Sequence, residues 1–207
     1  MNLLLSTFLF LVSFCSIAQD YKLISNSAEC KTKLETKART TKTISADFKE
    51  TVYSSMFNSP KSGSGIFKYK KEGKIRWEKI SPKSDIILIN GGSIRMKQDG
   101  KEISNASNNL IAKKMQSLMV KLMNHEFLKE KEFSVSYFES NSNYKLILIP
   151  KNARIKKYIS FIELIFDQST LGLNQISMNE SDDDYVVYKF SSVTFNSIIS
   201  DTFFTKF

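Results

Sequence analysis

Residues 63–82 read GSGIFKYKKEGKIRWEKISP, and two readings compete for them. Lysines interleaved with Phe67, Tyr69 and Trp77 suit a surface that stacks on and neutralises a nucleic acid. The same letters suit a β-hairpin with one apolar face. The spacing decides. Phe67 and Tyr69 stand two apart, as do Ile75 and Trp77, with Lys68, Lys70, Arg76 and Glu78 on the alternate positions. A period of two is the pattern of a half-buried strand, and Glu72-Gly73 falls where the turn must be. The stretch is a hairpin, and its lysines are the outside of a sheet.

Working outward, the same period recurs. Ile44, Ala46, Phe48 and Val52 alternate with Ser45, Asp47, Lys49 and Thr51. Strand-like runs follow near 65–71, 74–80, 85–90, 93–98, 132–138, 144–149, 158–167, 171–178, 185–190 and 193–196. The breaks carry turn chemistry: Asn90-Gly91-Gly92, Asp99-Gly100, Asn141-Ser142-Asn143 and Asp182-Asp183-Asp184. Connections this short join antiparallel neighbours, because parallel strands need long crossovers. About eleven strands in one meander curl into a barrel or fold over into a sandwich.

Two segments break the pattern. Residues 27–41 read as a polar helix with a sparse apolar side of Cys30, Leu34 and Ala38. Over 108–125, Ile111, Met115, Leu118 and Leu122 fall at helical spacing, Met119 and Met123 widen the stripe, and Lys113, Lys114 and Lys121 lie off it. No internal repeat is visible, and residues 19–207 read as one domain.

The compartment is read from the beginning of the chain. Residues 3–15, LLLSTFLFLVSFC, are uncharged and apolar, shorter than the roughly 20 residues a membrane-spanning helix needs. Ser16-Ile17-Ala18 follows as a small-x-small cleavage pattern, so a secretory signal removed after Ala18 is expected, although no Lys or Arg precedes the apolar run. Phe14 stands where a small residue should precede an acylated cysteine, so no lipid anchor is expected on Cys15. Cleavage leaves Cys30 as the only cysteine, which forbids an intrachain disulfide.

The formal charge is +9, concentrated between Lys61 and Lys83. Outside the cytoplasm nucleic acid is excluded as a partner, which leaves anionic headgroups, an acidic protein surface or plain solvation of a strand face. Catalytic chemistry is not visible. The single histidine, His125, ends the amphipathic helix, where a cation suits the helix dipole. No Gly-x-Ser-x-Gly elbow, zinc ligand set or phosphate-cradling loop is present. Asp182-Asp183-Asp184 lacks the framework of a calcium loop and reads as an acidic turn, with a hard cation as the alternative. No cofactor is expected, and the chain reads as a binding protein, not an enzyme.

Strands such as DIILIN (85–90) and ISFIELIF (159–166) are apolar on both faces, so something must cover the second face. Met115, Met119 and Met123 line one side of the 108–125 helix, a composition suited to irregular apolar shapes. Two arrangements fit: a plain core helix, or a helix lying over the mouth of a curved sheet with room for an apolar ligand.

Several of these stretches together, ISADFKET (44–51), GSGIFKYKKEGKIRWEKISP and ILINGGSI (87–94), resemble the periplasmic lipoprotein carrier family LolA. The matching features are Asp47-Phe48, Gly65, Lys70-Lys71, Trp77, Pro82 and Asn90-Gly91 in that order, with LILIPK (146–151) and VTFNSIISDTFF (193–204) further on. The resemblance runs from about residue 27 to 205. It implies a mostly β fold with a helical lid: an unclosed antiparallel half-barrel of about eleven strands covering an apolar cavity.

It further implies a carrier that shields the acyl chains of lipoproteins, an inner-membrane transporter as donor and an outer-membrane acceptor. A monomer is expected. Phe48, Phe67, Tyr69, Ile75, Trp77, Met115, Leu118, Met119 and Leu122 are then expected to line the cavity, and Lys68, Lys70, Lys74, Arg76 and Lys79 to form a basic docking face.

Lys71 stands where the family has the arginine that holds the lid. It is expected to bond a backbone carbonyl near the 108–125 helix. Lysine keeps the charge but loses the planar five-donor fork, so the latch is expected to be weaker or differently made. Another envelope lipid, glycolipid or pigment precursor is the alternative cargo. A sensing or interaction module that binds a membrane protein through the basic face is the alternative function.

Overall fold

The structure, a computed structural model, describes residues 20–103, 120–121 and 126–207. The signal segment, His125 and the expected cavity residues Met115, Leu118, Met119 and Leu122 lie outside the described residues. The described strands are β1 (Lys22–Leu23), β2 (Thr43–Tyr53), β3 (Lys61–Lys70), β4 (Lys74–Ser81), β5 (Asp85–Asn90), β6 (Ser93–Gln98), β7 (Lys101–Glu102), β8 (Phe133–Glu139), β9 (Asn143–Pro150), β10 (Phe161–Asp167), β11 (Leu173–Asn179) and β12 (Tyr185–Phe195). Two α-helices accompany them, α1 (Ala28–Thr40) and α2 (Ala153–Lys156); residues 120–121 are also helical.

Among the described residues all twelve strands form one open antiparallel sheet in the order β1-β8-β9-β10-β11-β12-β2-β3-β4-β5-β6-β7. Two meanders, β2–β7 and β8–β12, are joined where β12 pairs with β2 from Tyr185–Tyr53 to Phe195–Ile44. The hairpin of residues 63–82 is as its spacing demands, with Phe67 opposite Trp77 and Tyr69 opposite Ile75. Its turn residues Glu72 and Gly73 take φ of 80° and 74°, and Gly91-Gly92 and Asp99-Gly100 likewise have φ above zero. These left-handed values match the twist of tight hairpins, and glycine adopts them without steric cost.

Two differences from the sequence reading have local causes. The runs 185–190 and 193–196 are one strand, bent by a register shift between Ser191 and Thr194, where Ser192 takes φ 52°. The run from 158 begins as a strand only at Phe161, because α2 and the turn after it occupy 153–160.

The inner face of the sheet carries two buried clusters. The first joins Cys30 and Leu34 of α1, with Phe127 and Leu128, to the inner side chains of β8–β11, among them Tyr137, Leu146, Leu164 and Phe166. Burial pushes the Cys30 thiol up to about 11, which makes it a structural residue and not a nucleophile. The second joins Phe48, Phe67, Tyr69, Ile75, Trp77, Ile89 and Ile94 of β2–β6, with Val120 against them. The connection between the two meanders therefore touches both clusters, through Val120 on one side and Phe127 and Leu128 on the other.

The second face of β5 is covered too, by the C-terminal segment. Ile86 and Leu88 point outward and are buried, and the 3₁₀ turn Asp201–Phe204 crosses β4 and β5 with Phe204 buried.

Gly65 decides how the second cluster packs. A Cβ there would lie 2.0 Å from the Glu78 carbonyl oxygen and 2.4 Å from the Phe48 ring. The bare glycine lets Phe48 lie across β3 against Trp77, with ring centroids 4.7 Å apart and planes tilted by 32°. Gly65→Ala is expected to cost about 1–3 kcal/mol, the usual range for overpacking. The check is the urea midpoint; an unchanged midpoint would show that Phe48 has another place to go.

Candidate functional site

Between the two clusters the sheet is not fully packed. A cleft of about 40 Å³ opens there, lined by Lys37, Ala38 and Thr41 of α1, Ile44 and Ala46 of β2, Phe67 of β3, Phe166, Leu171 and Leu173 around the β10–β11 turn, and Phe190, Val193 and Phe195 of β12. It lies over the β2–β12 seam, and apart from Lys37 and Thr41 its walls are apolar. Burial lowers the Lys37 ammonium from its ordinary value. That ammonium sits 3.7 Å from the centre of the Phe195 ring, a cation–π contact that partly offsets the lost hydration.

The roof of the cleft is the last turn of α1, and its attachment is polar. Lys71 Nζ donates to the Arg39 carbonyl at 3.3 Å, and the Lys71 amide donates to the Lys42 carbonyl at 2.8 Å. The Lys42 amide donates to Asn196 Oδ1 at 2.7 Å, and Thr43 Oγ1 donates to the Ser197 carbonyl at 2.6 Å. The expectation for Lys71 was a carbonyl near 108–125. Among the described residues its ammonium meets α1 instead, where a cation also suits the negative end of the helix dipole.

The sequence-derived cavity residues divide. Phe67 lines the cleft. Phe48, Tyr69, Ile75 and Trp77 are close-packed around it, with Trp77 4.9 Å from Tyr188 between ring centroids and Phe67 6.0 Å from Phe190. A buried polar group lies below them: Glu50 accepts from Tyr188 Oη at 3.0 Å and pairs with Lys79. Burial and the Glu50 carboxylate raise the Tyr188 hydroxyl above its ordinary value.

The basic residues do not form one free face, which corrects the docking expectation. Lys79 lies on the inner side of β4, with Glu50. Lys70 and Lys74 both reach Asp201 Oδ1, at 2.8 and 3.1 Å. Arg76 is buried, pairs with Glu78 at 2.6 Å, and donates to the carbonyls of Phe203 and Lys206 at 3.1 and 2.8 Å. Lys68 Nζ lies 4.8 Å from the Phe203 ring. The outer cations hold the chain's own C-terminal strap. The acidic turn is likewise occupied, since Asp184 accepts from Ser54 Oγ and the Ser55 amide and so ties two loops together. Among the described residues no cluster of metal-ligating side chains exists.

A family profile described as outer membrane lipoprotein carrier protein LolA matches residues 39–206. The chain belongs to the LolA family. Comparison with curated proteins finds no match. Similar solved structures include a LolA superfamily protein from Nitrosomonas europaea, 12% identical, covering 85% of this chain and 97% of that one with a TM-score of 0.43. A DUF1329 family protein from Desulfovibrio piger is 10% identical over 87% of this chain and 98% of its own, with a TM-score of 0.40. The MucA/MucB complex of Pseudomonas aeruginosa contains a chain 11% identical over 84% of this one and 59% of its own, with a TM-score of 0.38. Family membership rests on the profile match and not on these likenesses.

In this LolA-family chain, several of the residues that carried the resemblance shape the packing and the turns. Gly65 clears room for Phe48, Phe48 supports Trp77, and Gly91 makes a hairpin turn. The cleft residues on β12 and around Leu171, and the roof on α1, were not among the expected cavity residues. The one available signal was the sparse row Cys30, Leu34, Ala38, whose last member faces the cleft.

Asp201 gives the strap a pH dependence. Hydrogen bonds from Lys70 and Lys74 hold its carboxyl below the ordinary value. Its contribution is therefore present above about pH 4 and lost as pH falls through the folded-state value. Asp201→Asn is expected to speed amide exchange in residues 202–206 near neutral pH. Acidification to about pH 3 should then loosen the strap in the parent but add little in the variant. Equal acid sensitivity in both would assign the effect to another carboxylate.

Proposed function

We propose that this LolA-family chain is a periplasmic carrier that shields the acyl chains of lipoproteins between an inner-membrane donor and an outer-membrane acceptor, with α1 as the movable roof. The supporting observation is the apolar cleft over the β2–β12 seam, closed by one helix turn held through a few polar contacts. Family membership supports a lipid- or lipoprotein-binding carrier role; the acyl cargo, the compartment and the catalysis-free mechanism are parts of this reading.

The energetics explain why the roof must move. Burying a ~16-carbon chain is worth on the order of 12 kcal/mol at about 0.8 kcal/mol per CH₂, so a free chain crosses water slowly. Pockets that take ligands of this size run to about 300–1,000 Å³, against the roughly 40 Å³ of the cleft. Cargo enters by separating α1 from the seam, where its Ala38 and Thr41 offer little apolar area to hold it down. Lys71 is the latch in this scheme. Its single long hydrogen bond to Arg39 suits an opening that costs little, so that release can compete with retention.

Native mass spectrometry with lipid extraction, on protein purified from its own periplasm, tests the cargo. Acylated peptides are expected; free lipids or pigments would favour the alternative cargo, and an empty protein in every preparation would remove the carrier reading. Ala38→Trp fills the cleft from the roof. It should weaken a fluorescent fatty acid at least about tenfold, or 1.4 kcal/mol, without lowering the melting temperature. Undiminished binding would place the acyl site elsewhere.

Lys71→Leu removes the latch and keeps the fold. Transfer of bound fatty acid to acceptor vesicles should change in rate while the urea midpoint stays within about 0.5 kcal/mol of the parent, as for an exposed position. An unchanged rate would leave Lys71 as a surface charge.

A further inference from the structure

We infer that the corner formed by the β9–β10 connection and the segment before β8 is a docking surface for an anionic lipid bilayer. The expected basic face is occupied by the C-terminal strap, but a second group of cations is not. Residues 151–162, KNARIKKYISFI, contain four basic residues and no acid. Arg154, Lys156 and Lys157 are exposed and make no ion pair among the described residues, and the same holds for Lys129 and Lys131. The acids interspersed with the latter are already committed, Glu130 to Lys31 and Glu132 to Lys121.

These cations form one surface. The Lys151 amide donates to the Glu132 carbonyl at 2.8 Å and its Nζ to the Glu130 carbonyl at 2.7 Å, which fastens the two segments together. Asn152 caps α2 by accepting from the Arg154 amide at 2.9 Å, and Ile159 packs against the core of β8–β11. Tyr158, next to Lys157 in the chain, stands 63% exposed, and Ile149 near the end of β9 is 42% exposed.

A tyrosine among unpaired basic residues suits a headgroup layer, where the ring sits at the polar boundary and the cations meet anionic phosphates. The neighbouring acids orient it. Glu180, Asp182 and Asp183 lie on the β11–β12 turn at the same end of the sheet, where the Glu180 carbonyl accepts from Ser160 Oγ, so that side is repelled and the corner between the β9–β10 connection and the segment before β8 faces the bilayer. An acidic protein would need carboxylates matched to each of these cations; a bilayer needs only surface charge. The inference does not require any particular cargo.

The test is flotation of the purified protein with phosphatidylcholine vesicles, with and without phosphatidylglycerol. Binding is expected only with phosphatidylglycerol, and should weaken steeply with added salt. A basic residue at such a surface strengthens binding about fivefold, so removing three with Arg154→Gln, Lys156→Gln and Lys157→Gln should weaken it about a hundredfold. Tyr158→Ser should weaken it further. The control removes the same charge elsewhere, with Lys49→Gln, Lys101→Gln and Lys189→Gln, and should keep most of the binding.

Absence of vesicle binding, as an acidic protein partner would give, overturns the inference. So does equal binding to neutral vesicles, or an equal loss in the control. Fluorescent fatty acid binding, read on the same preparations, should be the same in both triple variants; its loss would bear on the carrier reading and not on docking.

Discussion

The rest of the structure depends on the pairing of β12 with β2. Each meander on its own is a curved sheet with an apolar inner face and little to cover it. Joined edge to edge along eleven-residue strands, they become one surface that curls enough for its two inner clusters to approach each other. The same pairing removes what would be two exposed long edges, the usual liability of an open sheet. What remains at the ends is short: β1 and β7 are two residues each.

The seam is also where the cleft opens. On one side α1 seals the β8–β11 cluster with Cys30 and Leu34. On the other, aromatic rings interlock around Trp77, each pair worth about 0.5–1.5 kcal/mol beyond its burial. Neither group extends fully across the junction, and the helix turn above it presents Ala38 and Thr41, side chains too small to fill it. A cleft at this boundary can widen by movement of the last turn of α1 while Cys30 and Leu34, earlier on the helix, stay in the β8–β11 cluster. That is the mechanical property a carrier needs: rigid halves and a compliant line between them.

Charge is distributed by the same logic. The outer cations of β3 and β4 are used within the fold, holding the C-terminal strap over the apolar outer side of β5. The unpaired cations at the β9–β10 corner stand elsewhere, on connections whose apolar side chains pack inward while their basic ones face solvent. A count of lysines along the chain does not distinguish the two groups, because the difference lies in which carbonyls and carboxylates come to meet them.

Local pattern determined most of the sheet. Alternation of period two placed the strands, glycine- and asparagine-containing turns placed the hairpins, and short connections made the sheet antiparallel. These follow from neighbouring residues alone, as do Phe48, Phe67, Tyr69, Ile75 and Trp77 as inward-facing side chains. The order of Asp47-Phe48, Gly65, Lys70-Lys71, Trp77, Pro82 and Asn90-Gly91, with the stretches at 146–151 and 193–204, suggested the LolA family; of these, Gly65 and Gly91 meet a steric demand of the backbone near them. What only the tertiary structure decided involves partners far apart in sequence: β12 against β2, Asp201 under Lys70 and Lys74, and the Arg39 carbonyl above Lys71. No periodicity carries that information. It emerges when the β2–β3 register sets the end of α1 beside Lys71 and the C-terminal segment folds back over β4 and β5 to bring residue 201 to residue 70, and with those contacts come the cleft, its roof and the strap.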